Sequence, residues 1–194
     1  QHAEQPVEWG PWSDEARDEA RRRDVPLFIS IGYAACHWCH VMAHESFDDP
    51  VIAAFLNEHF VPVKVDREER PDVDKIYMTA VQAMSGSGGW PLNVFLTPDL
   101  KPFYGGTYFP PARAFNRPSW METLESVVLA FQKKRNEIDA QADNLTTHLV
   151  ESASFGLNNE NTLSPDAGIL QTIYEGLMKT ADREWGGFGK APKF

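Results

Sequence analysis

Ile29-Ser30-Ile31-Gly32-Tyr33-Ala34-Ala35-Cys36-His37-Trp38-Cys39-His40-Val41-Met42 contains the only two cysteines of the 194-residue chain. They stand three positions apart, after an apolar run and before a stretch that reads as a helix. A thiol at a helix N-terminus faces unpaired backbone N–H groups and the positive end of the macrodipole, so its thiolate is favoured. The pattern points to dithiol chemistry. Cys36, at the helix end and expected to be the more exposed, reads as the attacking thiolate, and Cys39, one turn in, as the resolving partner. His37 and His40 would add positive charge beside the thiolate.

Outward from this stretch the chain alternates strands and helices. Pro26 to Ile31 is a continuous apolar run, which predicts a buried strand. Before it, Val7 to Trp9 reads as a short edge strand, and Ser13 as the N-cap of a helix reaching Arg23. After it, the helix opened at Cys36 is expected to run to Ser46. Asp49 and Pro50 then start another, with Val51, Ile52, Phe55, Leu56 and His59 on one face. Val61, Val63 and Val65 alternate in a second central strand ending at Asp66. Pro71 opens a helix with a core stripe of Val73, Ile76, Tyr77, Ala80, Val81 and Met84. A Gly-rich loop leads through Trp90-Pro91 into the strand Leu92 to Thr97, which forms a hairpin with Pro102 to Tyr104 across Pro98-Asp99-Leu100-Lys101. One long helix from Pro118 to Ser152 buries Trp120, Leu124, Val127, Val128 and Phe131.

These elements define a domain over residues 1–155, a linker over 156–163, and a helical stretch over 164–194 centred on Asp166 to Thr180. The ending from Gly186 to Phe194 has no core of its own and reads as the truncated start of a second domain.

Composition narrows the function classes. Hydrophobic side chains make up 42% of the chain, enough for one packed domain and a remainder. The formal charge is −10 and the pI near 5.0, a balance that argues against nucleic acid and anionic membrane as partners. No apolar run approaches a membrane span and no signal segment is visible, so the expected setting is cytoplasmic, with a removed targeting segment left open because Gln1 is not an initiator Met.

The order strand, C-x-x-C at a helix start, helix, strand, helix, Pro before a strand, hairpin and closing helix resembles a thioredoxin fold: a central mixed sheet flanked by helices. More closely, C-H-W-C-H-V-M with H-E-S-F, V-D-R-E-E-R-P-D and G-G-W-P-L-N-V-F-L-T-P is similar to the spermatogenesis-associated thioredoxin-like family. The resemblance covers essentially the whole chain. It implies a cis Pro91 packed beside the dithiol, and a following helical barrel similar to the N-acylglucosamine 2-epimerases, whose start G-G-F-G-K-A-P-K-F matches. It also implies a protein dithiol or disulfide as substrate or reductant, and no cofactor. Trp38 and Trp90 would form an aromatic, substrate-facing rim. Thioredoxin itself carries a buried acid where this chain has Ser30, so the proton is expected to travel through His40, Glu45 or water.

Other readings of the same residues stay open. The dithiol can be a structural remnant on a non-catalytic domain that docks the second domain or a partner. C-H-W-C-H also fits covalent haem attachment with His40 as axial ligand, against which stand the compact α/β flanks. Cys36, Cys39, His40 and His44 could meet a zinc ion, although both cysteines would have to turn toward a histidine more than a helical turn away. Elsewhere, Asp66, Glu68, Glu69, Asp72 and Asp74 read as a solvated acidic loop. Gly86 to Gly89 lacks the Lys-Ser or Lys-Thr of a phosphate cradle, His148 reads as a surface residue and His59 as a helix-end one.

Overall fold

Strand β1, Leu27–Gly32, is buried at every position because it occupies the middle of the sheet. In the computed structural model, which describes residues 4–114, 117–154, 167–183 and 186–188, four strands are ordered β2-β1-β3-β4. Strand β2, Val61–Asp66, runs parallel to β1, while β3, Leu92–Leu96, pairs antiparallel with both β1 and β4, Pro102–Gly106. The two parallel strands need a helical crossover, which α2 (His37–Met42) and α3 (Pro50–His59) supply, whereas β3 and β4 are joined by the tight turn at Leu100. This mixed sheet with helices on both faces is a thioredoxin-like fold.

On one face Leu27, Ile29, Ile31, Val63, Val65, Leu92 and Val94 pack against helix α1, Asp14–Arg23, and helix α4, Pro71–Ser85. On the other, Phe28 and Phe95 meet Met42, Phe47, Ile52, Leu56, Phe60 and Trp120 from α2 (His37–Met42), the turn after it, α3 (Pro50–His59) and α5 (Trp120–Lys133). Local chemistry starts these helices as expected. The Ser13 hydroxyl accepts from Ala16 N–H, the Asp49 carboxylate from Val51 and Ile52 N–H, and Ser119 with Glu122 closes a capping box on α5.

Several sequence expectations are corrected. Val7 to Trp9 forms no strand; this segment meets the sheet's backbone at Gly10, which bonds Pro62 and Lys64 along the outer side of β2. That contact lies on an edge, so β2 is not a central strand. The α-helix begun at Cys36 ends at Met42 and continues as a π-helical turn, Ala43–Phe47, whose wider winding still sends Phe47 fully into the core. On α3 the buried face turns toward Ala53, leaving Val51 67% exposed, and on α4 Ile76 faces solvent.

The expected single helix after Pro118 is two, α5 and α6 (Arg135–Ser154), broken at Lys134 with no Pro or Gly there. Tertiary contacts make the corner: Arg135 stacks on Phe131 and pairs with Asp24 and Asp139, and beyond it Ile138 and Ala142 are buried. The chain divides into two compact units, residues 1–153 and 154–194. In the second unit, helix α7, Ala167–Lys179, exposes Ile169, Leu170, Ile173, Tyr174 and Leu177. The expected linker lies outside the described residues.

Candidate functional site

Cys36 and Cys39 are joined in a disulfide, their Cα atoms 5.2 Å apart, at the junction where β1 hands over to α2. Cys36 is the N-cap of α2, and its sulfur accepts from the Cys39 N–H at 3.2 Å. The same N–H would stabilise a Cys36 thiolate in the reduced protein. Both cysteines are buried, Cys36 at 3% exposure and Cys39 at 7%, so the expectation that Cys36 is the more exposed is corrected. The reason is local: as N-cap, Cys36 folds its sulfur back over the first turn of the helix rather than outward. Gly32 closes the site from below. A methyl group there would stand 2.8 Å from Cys39 Sγ, which makes glycine a requirement of close packing.

The other candidates are dispersed around this pair. His37 and Trp38 are exposed; the Trp38 ring lies 5.8 Å from His37 and 5.0 Å from Tyr108. His40 donates from Nε2 to the Ala34 carbonyl at 2.8 Å, which fixes its tautomer and its ring. Glu45 accepts from the Tyr108 hydroxyl and does not line the cavity beside Cys39, whereas His40 does. Burial, reinforced by that carboxylate, pushes the Tyr108 phenol up to about 12. His44 pairs with Asp48 at 2.9 Å, well engaged away from the cysteines. No three His, Cys, Asp or Glu side chains converge among the described residues, so the four zinc candidates are not brought together.

Trp90 departs from a free aromatic rim. Its peptide bond to Pro91 is cis. The half-buried indole donates from Nε1 to Asp74 at 2.8 Å, meets Tyr33 edge-on at 5.8 Å and lies under the Arg67 guanidinium at 4.1 Å. Asp74, read from sequence as part of a solvated loop, is instead a buried anchor in the first turn of α4, 3.5 Å from Arg67. Trp90's indole N–H and Arg67 both need that carboxylate. Asp74→Ala should therefore cost about 1–3 kcal/mol, read as a lower urea midpoint with a changed near-ultraviolet tryptophan signal; an unchanged midpoint would contradict this account.

A polar row that sequence reasoning missed runs under α2. Lys64 on β2, Ser30 on β1 and Asn93 on β3 are direct neighbours across the sheet, on the otherwise apolar face that carries Phe28 and Phe95. Lys64 donates to Ser30 at 3.0 Å, and Asn93 donates to the Thr107 carbonyl at 2.7 Å and to the Met42 sulfur at 3.2 Å. The signal was Ser30, the one polar residue inside an apolar strand. A cavity of about 250 Å³ opens beside this row, lined by Gly32, Tyr33, Ala34, Cys39, His40, Lys64, Val65 and Asp66.

A cysteine pair at a strand-to-helix junction of this mixed sheet defines a thioredoxin-fold dithiol protein. Such a pair on such a fold is built for thiol–disulfide exchange in general. The chain belongs to the family described as Thioredox_DsbH, protein of unknown function, DUF255, whose model matches residues 1–150. It is 45% identical over 194 residues to spermatogenesis-associated protein 20 of Homo sapiens and 46% identical over 195 residues to that of Rattus norvegicus. An uncharacterized protein, B0495.5, of Caenorhabditis elegans is 44% identical over 195 residues. Each match covers all of this chain, which spans only about a quarter of the length of those relatives. Among solved structures, a DsbH oxidoreductase is similar at 17% identity and a TM-score of 0.47, covering 63% of this chain and 84% of that one. A disulphide-isomerase of Bacteroides thetaiotaomicron, described as putative, gives 22% identity and a TM-score of 0.47 over 66% and 96%.

Proposed function

We propose that the domain exchanges disulfides with a protein partner, as an oxidoreductase or as a redox-sensing module for the segment that follows it. The observation that carries this reading is the Cys36–Cys39 disulfide seated at the N-cap of α2, with the Cys39 N–H aimed at the Cys36 sulfur. In the reducing direction the Cys36 thiolate attacks a partner disulfide and releases one partner thiolate. Cys39 then attacks the Cys36 sulfur of the mixed disulfide, releasing the second thiolate and closing the intramolecular bridge. The partner gains two electrons and the cysteine pair loses them. Trp38, exposed at 53% between the two cysteines, supplies an aromatic contact for the partner chain.

The test is reduction of a model protein disulfide such as insulin by the reduced chain. Cys36→Ser should abolish turnover, and Cys39→Ser should stall the reaction as a mixed disulfide on Cys36 that mass spectrometry detects. Insulin reduction by the Cys36→Ser protein at the parental rate would sink the reading. A second reading, a docking domain with a structural disulfide, draws support from the burial of both sulfurs. It requires alkylation of the reduced cysteines to be slow at every pH. By its relatives' length, the chain is also proposed to precede a larger domain, which the family resemblance suggests is an epimerase-like helical barrel.

A further inference from the structure

Lys64 is an amine in an unusual place. It projects from β2 onto the face covered by α2, where its Nζ lies 3.0 Å from Ser30 Oγ, 5.0 Å from the Trp9 ring centroid and 5.2 Å from that of Phe47. No ion pair reaches it among the described residues. A lysine on a solvated face needs no partner; one packed between a hydroxyl and two aromatic rings normally has a carboxylate. The cavity explains what this amine does face. Lys64 and Cys39 line the same space, and Gly32, two residues beyond Ser30 on the same face of β1, packs directly against Cys39 Sγ.

Resting on the thiol–disulfide reading above, we propose that Lys64 is the proton acceptor for the resolving cysteine, drawing the Cys39 thiol proton across the cavity when the mixed disulfide is resolved. The neutral amine takes the proton, through water in a cavity large enough to hold several molecules, and becomes an ammonium. The Cys39 thiolate so formed attacks the Cys36 sulfur, the bond between Cys36 and the partner breaks, and the leaving partner thiolate is protonated from solvent or by the Lys64 ammonium. Two electrons pass from the cysteine pair to the partner disulfide. In the opposite direction the ammonium protonates Cys39 as the bridge opens.

The surroundings suit an amine that changes charge. Around it stand Ser30 of β1, Asp66 of β2 at the cavity wall, Cys39 and His40 of α2, and the rings of Trp9 and Phe47, with Asn93 next to Ser30 in the row. Desolvation, unrelieved by any bonded carboxylate, lowers the ammonium to about 7, so that both its forms are accessible near neutrality. His40 shares the cavity as well: its Nε2 proton goes to the Ala34 carbonyl, which leaves Nδ1 as a second acceptor there, and the Lys64 variants below tell the two bases apart.

Two-phase thiolate release from Ellman's reagent separates the steps in the 194-residue chain. Attack by Cys36 releases the first equivalent, and attack by Cys39 on the resulting mixed disulfide releases the second. The second phase of the parent protein should rise with pH through an inflection near 7. Lys64→Met should slow that phase by at least ~10-fold at pH 7 and move its inflection toward that of an unassisted thiol, at about 8.5 or above. Lys64→Arg, which keeps the charge and cannot take a proton, should be slow as well. A second phase unchanged in Lys64→Met, or restored by Lys64→Arg, overturns the proton role while leaving the exchange reading intact. A second phase of the parent protein without an inflection near 7 overturns it independently of any variant. Absence of the first phase overturns the exchange reading itself, and this role with it.

Discussion

Phe28→Ala should lower the stability of the thioredoxin-like unit by about 3–5 kcal/mol, a loss large enough to unfold much of the protein near physiological temperature if its total stability is of ordinary size. Phe28 is fully buried on the central strand, and five aromatic rings surround it. Phe95 stacks on it at 5.2 Å and Trp120 lies at 5.3 Å; Trp9, Phe47 and Phe60 complete the shell at 5.9, 6.2 and 6.5 Å. These rings come from the N-terminal segment, the π-helical turn, the end of α3, β3 and α5, so none can collapse into the space without moving a whole element. The cavity left by truncation therefore stays largely open, and the cost falls at the high end of its range. Because Phe47 follows the dithiol helix directly, the same change should also raise the alkylation rate of the reduced cysteines. Urea denaturation monitored by near-ultraviolet circular dichroism measures the first effect. A loss below ~1 kcal/mol would mean that the aromatic cluster repacks, against the argument from its five separate anchors.

The same cluster shows what the sequence could and could not reveal. Continuous apolar runs and a cysteine pair at a strand-to-helix junction are local signals, and they placed β1, β3 and the head of α2 because each depends on neighbours only a few residues away. The helix caps at Ser13 and Asp49 were legible for the same reason. What was illegible depended on partners far along the chain. The break at Lys134 is made by Arg135 reaching Asp24, and the burial of Asp74 by Trp90 and Arg67, none of which periodicity encodes. Alternation in Val61-Pro62-Val63-Lys64-Val65 assigns the valines inward and Lys64 outward. That inference holds for a sheet with one wet face. Here helices cover both faces, so the nominally polar side of β2 lies under α2, and Lys64 is placed at the site by the sheet's second layer rather than by its own strand. Helix position alone likewise ranks Cys36 as the more exposed of the two cysteines, whereas the capping geometry turns its sulfur inward.

Lys64→Met should stabilise the folded protein at low pH, by on the order of 3 kcal/mol at pH 6, and that gain should shrink as the pH rises. In the unfolded chain a lysine holds its proton up to about pH 10.4; in the folded protein burial lowers this to about 7. Between those values the unfolded state binds the extra proton and the folded state does not, so the stability of the parent protein climbs with pH across the window. Below pH 7 both states carry the proton and the folded one bears the cost of a half-buried ammonium, whereas above about pH 10.4 neither does and the cost is gone. Methionine has nearly the same length and no charge, so it escapes the cost at every pH and keeps the contacts with Trp9 and Phe47. Other titrating groups are common to both proteins and cancel in the difference. The measurement is the gap between urea midpoints of the two proteins at pH 6, 8 and 9.5, expected to fall to about 1 kcal/mol at the last. A gap that stays constant with pH would show that the Lys64 amine is solvated in the folded state. An ammonium so readily hydrated would also lack the reason to surrender its proton near neutrality, so the thermodynamic experiment bears directly on whether this side chain can serve Cys39.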